Sequence, residues 1–506
     1  MKKYILISCL FSLSVAMSFA QEEYDALKYS LTDLSGSARY VSMSGAFGAL
    51  GGDMSTMGTN PAGIAVYRSS ELSITPSLSS SSTKSVFNAY KSNDSKSNLL
   101  INNFGYVGSF RTYDETEISN FNFGISYNKV KDFNRNVTIV GKSRSTSLLT
   151  KICEDQNSNV GGTAADLVKW SLADYSYEAG LIDKNTTTNK YESLLYSGEK
   201  VDNKMNLMES GGINEWNFSL GANYGNFLYL GMSLGVQSID YELKSAYSEE
   251  SEGGLGFELR NALSTTGAGV NFKIGAIIKP DPYLRIGLTY HTPTYFSMTD
   301  VYNASMFPSG VYYATTGEAV PPVTGVETPV DYQLKTPGLF MLSGAYQFGQ
   351  KGFISIDWET VDYREIELKD ADGYPYDNTN SYMYQDFRVA SHLRLGGEYR
   401  LNDNISLRGG AAWYQSPMSS SFNENTTKFT TAGTTPHYEI YKDTYYLSCG
   451  AGYRSGCFFM DAALQRQMCS ADFYNFYDSN IKTDQPKYSK LDSNKTNLIF
   501  TFGYKF

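Results

Sequence analysis

Histidine and cysteine are scarce in this chain, with three histidines (His291, His392, His437) and five cysteines among 506 residues. So few histidines leave little for acid–base or metal chemistry. No cysteine sits in a CxxC or other metal-ligand spacing, so no metal site is read. Basic residues are outnumbered 42 to 52, giving a net charge of −10. That balance argues against nucleic acid, which wants a basic surface. Beyond residue 20 no apolar run approaches the ~20 residues that a spanning helix needs. A membrane protein without such a run has to be a closed barrel, the other form that satisfies every backbone group in lipid.

What is present favours the barrel. Lys2 and Lys3 precede an apolar stretch, Tyr4 to Phe19, and Ser18-Phe19-Ala20 offers a signal-peptidase site, so cleavage is expected before Gln21. An uncleaved anchor is the alternative, and Leu6-Ile7-Ser8-Cys9 only loosely resembles a lipobox because the apolar run before it is short. Without Lys2 and Lys3 the mature chain holds 40 basic and 52 acidic residues, a net −12. Cys153, Cys449, Cys457 and Cys469 then remain, and sequence prefers no disulfide pair among them. Aromatics make up 14 % of the chain although mean hydropathy is −0.33, as when lipid-facing and lumen-facing residues alternate.

Period-2 alternation is plain in several places. Phe121, Phe123, Ile125 and Tyr127 face one way, as do Trp216, Phe218, Leu220, Ala222 and Tyr224, and Ala268 to Ile278 and Leu284 to Tyr290 repeat the pattern. About fourteen strands are expected from residue 70 onward. Short links fall near Arg111–Glu115, Gly225–Asn226, Pro280–Pro282, Gly349–Gly352, Asn402–Asn404 and Arg454–Gly456. Long ones are expected near 80–97, 132–213, 244–265, 293–335, 364–385, 417–440 and 469–492. This asymmetry of periplasmic turns and extracellular loops belongs to an outer-membrane barrel. The chain ends on Leu498, Phe500, Phe502, Tyr504 and Phe506 in strict alternation. That ending resembles the signal by which such proteins reach the barrel-assembly machinery.

Residues 21–69 read differently. Tyr24, Leu27, Leu31 and Leu34 recur at helical spacing. A small-residue segment follows, from Ser35-Gly36 to Arg39, then Gly45-Ala46-Phe47 to Gly51-Gly52-Asp53, closing on Asn60-Pro61-Ala62. Short helices and glycine turns ahead of the first strand suggest a plug packed against a barrel wall. The expected division is 1–20 leader, 21–69 hatch and 70–506 barrel. Here the sequence resembles the FadL/TodX family of outer-membrane channels for hydrophobic compounds, above all in Asn60-Pro61-Ala62 after the glycine-rich run. The resemblance implies an antiparallel barrel of about fourteen strands with a small helical hatch in its lumen. It implies passive uptake of hydrophobic or amphipathic molecules such as long-chain fatty acids: capture by loops, a lumenal pocket, hatch rearrangement and sideways exit near a kinked third strand. Gly124 is the candidate for that kink, and an ordinary inward glycine is the alternative.

Apolar clusters fall in three segments read as loops: Trp170, Leu172, Tyr175, Tyr177 and Leu181; Leu255, Phe257, Leu259 and Leu263; and Tyr295, Phe296, Met298 and Phe307 with their neighbours. Such clusters mark binding surfaces or pack on one another as a cap. If Phe387, Val389, Leu393, Leu395 and Tyr399 face lipid, then Arg388, His392, Arg394, Glu398 and Arg400 face the lumen. The same parity turns Arg285, Arg408, Asp357, Glu359 and Asp461 inward. One reading has Arg285, Arg394 or Arg408 hold a substrate carboxylate; the other is an ion-pair ladder bracing wall and plug. No enzyme and no cofactor are expected, a membrane esterase built on His392 being a remote alternative. The expected partners are outer-membrane lipid, a hydrophobic small molecule and the assembly machinery, around a monomer. A FadL-like protein-binding barrel serving a type IX-like secretion system is the competing function. A hydrophilic porin would need no plug, and a TonB-dependent receptor would need a longer chain.

Overall fold

The computed structural model describes residues 23–112, 117–158, 167–169, 171–195, 199–419, 435–476 and 488–506. The leader, its cleavage site before Gln21, and Trp170 lie outside the described residues. Fourteen antiparallel strands form the wall. They are β1 Glu71–Phe87, β2 Tyr90–Arg111, β3 Ile118–Asp132, β4 Val201–Tyr224, β5 Leu228–Ser251 and β6 Gly256–Ile278. After these, β7 runs in two pieces, Leu284–His291 and Tyr295–Ser309, and β8 in two, Thr328–Lys335 and Leu339–Phe348. The remainder are β9 Gly352–Asp362, β10 Val389–Arg400, β11 Ile405–Tyr414, β12 Tyr438–Ser455, β13 Phe458–Tyr474 and β14 Ser489–Lys505. The sheet closes where β14 pairs with β1, from Glu71 opposite Lys505 to Val86 opposite Lys490. Phe506 and Ser70 exchange backbone hydrogen bonds at that seam.

Alternation sets the faces. On β14, Leu498, Phe500, Phe502 and Tyr504 are exposed while Ile499 and Thr501 are buried. On β5 the outward residues change from Leu230, Met232, Leu234 and Val236 to Ser238, Asp240, Glu242 and Lys244, which marks the upper edge of the apolar band. β4 and β5 each have 24 residues, roughly 80 Å at ~3.3 Å per residue, far beyond what a tilted strand needs to cross. Their upper halves therefore stand clear of the membrane.

These tall strands correct three expected loops, most of 293–335 being strand at Tyr295–Ser309 and Thr328–Lys335. In place of a loop at 80–97, β1 and β2 are joined by Asn88-Ala89 alone; in place of 244–265, β5 continues to Ser251 and β6 resumes at Gly256. Phe257, Leu259 and Leu263 already had strand spacing, and they are buried on the inner face of β6. Tyr295 is also not in a loop. It is the last outward apolar residue of β7 before Ser297 and Thr299, 58 % exposed, and fits the interfacial aromatic girdle. Phe387 is buried just before β10 rather than lipid-facing, and Arg400 is exposed at the strand's lower end.

The N-terminal segment fills the lumen from top to bottom through α1 (Glu23–Ser30), α2 (Ala38–Ser42), α3 (Thr56–Thr59) and a 3-10 turn, Pro61–Val66. Helix α1 stops at Ser30, short of Leu31 and Leu34, because Asp33 is tied to the wall: its N–H donates to the Val130 carbonyl and its carboxylate accepts from Asp132 N–H. Above, α1 packs into an apolar core with α4 (Leu148–Ser158), α5 (Leu172–Glu178), α6 (Asp377–Asp386) and the inner faces of the tall strands. Leu27, Leu149, Tyr241, Leu259, Met306 and Met383 are all buried there.

Candidate functional site

The hatch is seated on glycine. Gly221, Gly231 and Gly275 stand opposite one another across β4, β5 and β6. A Cβ at Gly275 would lie 1.9 Å from Asn60 Oδ1, one at Gly231 would lie 2.2 Å from the Pro61 carbonyl oxygen, and one at Gly221 would lie 2.5 Å from the Ile64 side chain. The missing side chains thus admit the Asn60-Pro61-Ala62 turn against the wall. Asn60 caps the 3-10 turn, accepting from Ala62 N–H at 3.0 Å, and its amide donates to the Gly48 carbonyl at 2.6 Å. Asn120 and Asn122 of β3 donate to the Tyr67 carbonyl, both at 2.9 Å. Gly45, Gly51 and Gly52 adopt φ of 76°, 65° and 67°, the left-handed region that favours glycine. Asp53 accepts from Ser37 Oγ and Ser55 N–H.

Gly124 is not a kink. Pairing of β3 with β2 and β4 runs unbroken through it, and the irregularities lie between Ile118 and Asn120 and between Lys129 and Lys131. A Cβ there would meet Met57 Sδ at 2.6 Å and Ile64 Cδ1 at 2.7 Å, so the glycine makes room for the hatch.

Most inward charges are spent on ion pairs. Arg39 of the hatch meets Glu398 at 3.1 Å; Glu398 also meets Arg408 at 2.7 Å, and Arg408 meets Asp461 at 2.5 Å. Asp357 accepts from Phe47 and Gly48 N–H at 3.0 and 2.9 Å, and Arg285 donates to the Leu50 carbonyl at 2.8 Å. Arg394 pairs with Glu359 at 2.5 Å and donates to Tyr414 Oη, while His392 shares Glu359 at 2.9 Å.

Between hatch and cap lie two adjoining lumenal chambers of about 180 and 170 Å³ that share Leu31, Thr32, Asp33, Tyr363, His392 and Tyr414. Of the eight residues expected to bind ligand, only Arg394 lines this space. Leu259, Phe296 and Met298 belong to the cap core, and Phe307 lies beneath Arg260 on the upper strands. Tyr295 faces outward, and Arg285 and Arg408 sit below against the hatch. Sequence reasoning missed the Lys273–Glu215 pair at 2.6 Å, the Arg135 bridge to Glu209 and Glu439, and Asp33 between Lys131 and Lys495. Parity against Trp216 and Phe272 would have turned Glu215 and Lys273 inward; Arg135 fell in a segment read as loop.

The wall has a weak seam. β2 pairs with β3 only from Arg111 to Asn103, whose partner is Asn128. Above that pair β2 continues with Ile101 and Leu99 exposed, the latter 80 %, so the ladder stops at the upper edge of the apolar band.

The model of the OMPP1/FadL/TodX outer-membrane transport proteins matches residues 227–505. Among solved structures, a Pseudomonas aeruginosa FadL homologue superposes with TM-score 0.53 at 16 % identity, covering 94 % of this chain and 100 % of its own. The Pseudomonas putida toluene transporter TodX gives 0.50 at 12 %, and the Ralstonia pickettii toluene transporter TbuX 0.50 at 14 %, each covering 94 % of this chain and 99 % of its own. No curated protein matches significantly.

Proposed function

The chain belongs to the OMPP1/FadL/TodX family of outer-membrane transport proteins, and from that premise we propose that it is a passive channel for hydrophobic or amphipathic small molecules with a lateral exit. One observation carries the exit route. The axis is filled by hatch and cap, whereas the β2–β3 ladder ends at Asn103 beside exposed Ile101 and Leu99. A molecule captured at the apolar cap would reach the lumenal chambers and leave through this seam into the outer leaflet. Long-chain fatty acids are the first class to test. A carboxylate role for Arg285, Arg394 or Arg408 competes with the partners these arginines already hold. The leader would be removed before Gln21, and the folded chain would act as a monomer in lipid after delivery by the assembly machinery.

The test is an Asn103→Cys, Asn128→Cys pair in a background lacking Cys153, Cys449, Cys457 and Cys469. Oxidation pins the top of the seam. Uptake into proteoliposomes of whichever probe the reduced barrel carries, a fluorescent fatty acid or radiolabelled toluene, should fall on oxidation and return on reduction. Equal uptake in both states would refute lateral exit.

A further inference from the structure

The lumenal chambers differ in character from the apolar cap, and their charges are balanced pair by pair. The cations that line this space, Lys28, Lys131, Arg135, Lys273, Arg394, Lys442 and Lys495, each hold a carboxylate within 3.7 Å. Lys129 also borders the space, but its Nζ rests against Gly212, 2.5 Å from where a Cβ would stand, on the outward side of β4 opposite Asp240. Three lining residues, Ser35, Thr59 and Asn271, carry buried side-chain oxygens without a protein partner. Asn271 is only 6 % exposed.

We propose that the lumenal chambers form a binding site for an uncharged, hydroxyl-bearing molecule of about one ring. This rests on the channel reading above and narrows its substrate class. A ligand carboxylate at Arg394 would have to displace Glu359 and leave that buried carboxylate with His392 as its one remaining partner. A hydroxyl needs no charge partner, and a turn of the Thr59 or Ser35 side chain toward the chamber gives it an oxygen to bond, which a hydrocarbon would leave without a partner. Size agrees, since each chamber is comparable with the ~150 Å³ cavity that holds benzene in another protein.

Three probes share one ring and differ only at the substituent: toluene, benzyl alcohol and benzoate. Their binding to the detergent-purified barrel is measured by calorimetry at pH 7.5. Benzyl alcohol should bind tightest, about tenfold over toluene, the worth of one hydrogen bond, and benzoate weakest. Thr59→Val should weaken benzyl alcohol and spare toluene. Glu359→Gln frees Arg394 and should raise benzoate affinity at least tenfold, provided heat-modifiable mobility shows a folded barrel. Should that variant misfold, the wild-type ranking still decides. Benzoate binding tightest to the wild type, or toluene matching benzyl alcohol, overturns the inference alone. Binding of none of the three overturns it too, while the channel reading is then judged separately by the seam-locking uptake assay.

Discussion

Substituting Gly231 by alanine isolates the contact between hatch and wall. The added methyl would lie 2.2 Å from the Pro61 carbonyl oxygen and 2.5 Å from Ala62 N, against an ordinary contact of 3.4 Å or more. Backbone atoms cannot swing aside as a flexible side chain can, so the Asn60-Pro61-Ala62 turn must move by about 1 Å. Overpacking of this kind costs about 1–3 kcal/mol, which raises the population of an unseated hatch roughly 5- to 150-fold. The wall itself should tolerate the change, because Gly231 keeps regular pairing with Gly221 and Gly275. Gly409 supplies the control: it is exposed on β11, and a Cβ there meets only the Ser448 carbonyl oxygen at 3.9 Å. Amide exchange at Ala62 to Val66 and conductance in planar bilayers should both rise for Gly231→Ala and stay unchanged for Gly409→Ala. Unchanged hatch protection in a folded Gly231→Ala barrel would refute the reasoning.

Arg408→Met should be severe, since it strands Asp461 inside the barrel and leaves Glu398 with Arg39 alone; losing one partner of a buried ion pair costs about 3–5 kcal/mol, readable as a lowered temperature for the heat-modifiable band. Removal of the exposed Lys142–Asp202 pair should leave that temperature where it was. Asn60→Ala removes a cap worth about 1 kcal/mol and leaves the Gly48 carbonyl without its donor, so hatch exchange should rise without loss of the barrel. At the cap, burial pushes Asp386 of α6 up to about 6, and burial with the neighbouring Asp386 raises Glu23 of α1 well above the usual carboxylate range. A raised carboxyl stabilises the folded form while protonated, so this contribution is complete below the ordinary range near 4 and fades as pH climbs through 6. Protection factors over α1 should therefore be higher at pH 5 than at pH 7.5, and Asp386→Asn should flatten the difference.

Much of the wall was legible because a strand half in lipid and half in a polar lumen writes its faces into the sequence. Leu498 to Phe506 and Trp216 to Tyr224 show the rule, since each exposed residue follows a less exposed neighbour. Loop limits were less legible where the alternation continued without its lipid. Ser77 to Ser85 alternate by burial rather than by polarity, serines lying on both faces, so β1 ended too early on hydropathy alone. Leu259 and Leu263 looked like loop anchors because extracellular strands bury their apolar residues inward, the reverse of the rule that holds in the membrane.

The hatch motif carried its location but not its reason. Asn60-Pro61-Ala62 identifies a turn, yet what the turn needs is three wall glycines from residues 221, 231 and 275, brought side by side only by strand register. Lumenal charge shows the same limit. Parity turned Arg394, Glu398 and Arg408 inward correctly, but Glu359 is 35 residues from Arg394 and Arg39 is 359 from Glu398, so no local spacing could reveal the pairs. That is why arginines which look like free anion receptors in sequence become half of a neutral lining once the barrel closes. It is also why the substrate question passes from counting cations to asking which of them is left without a carboxylate.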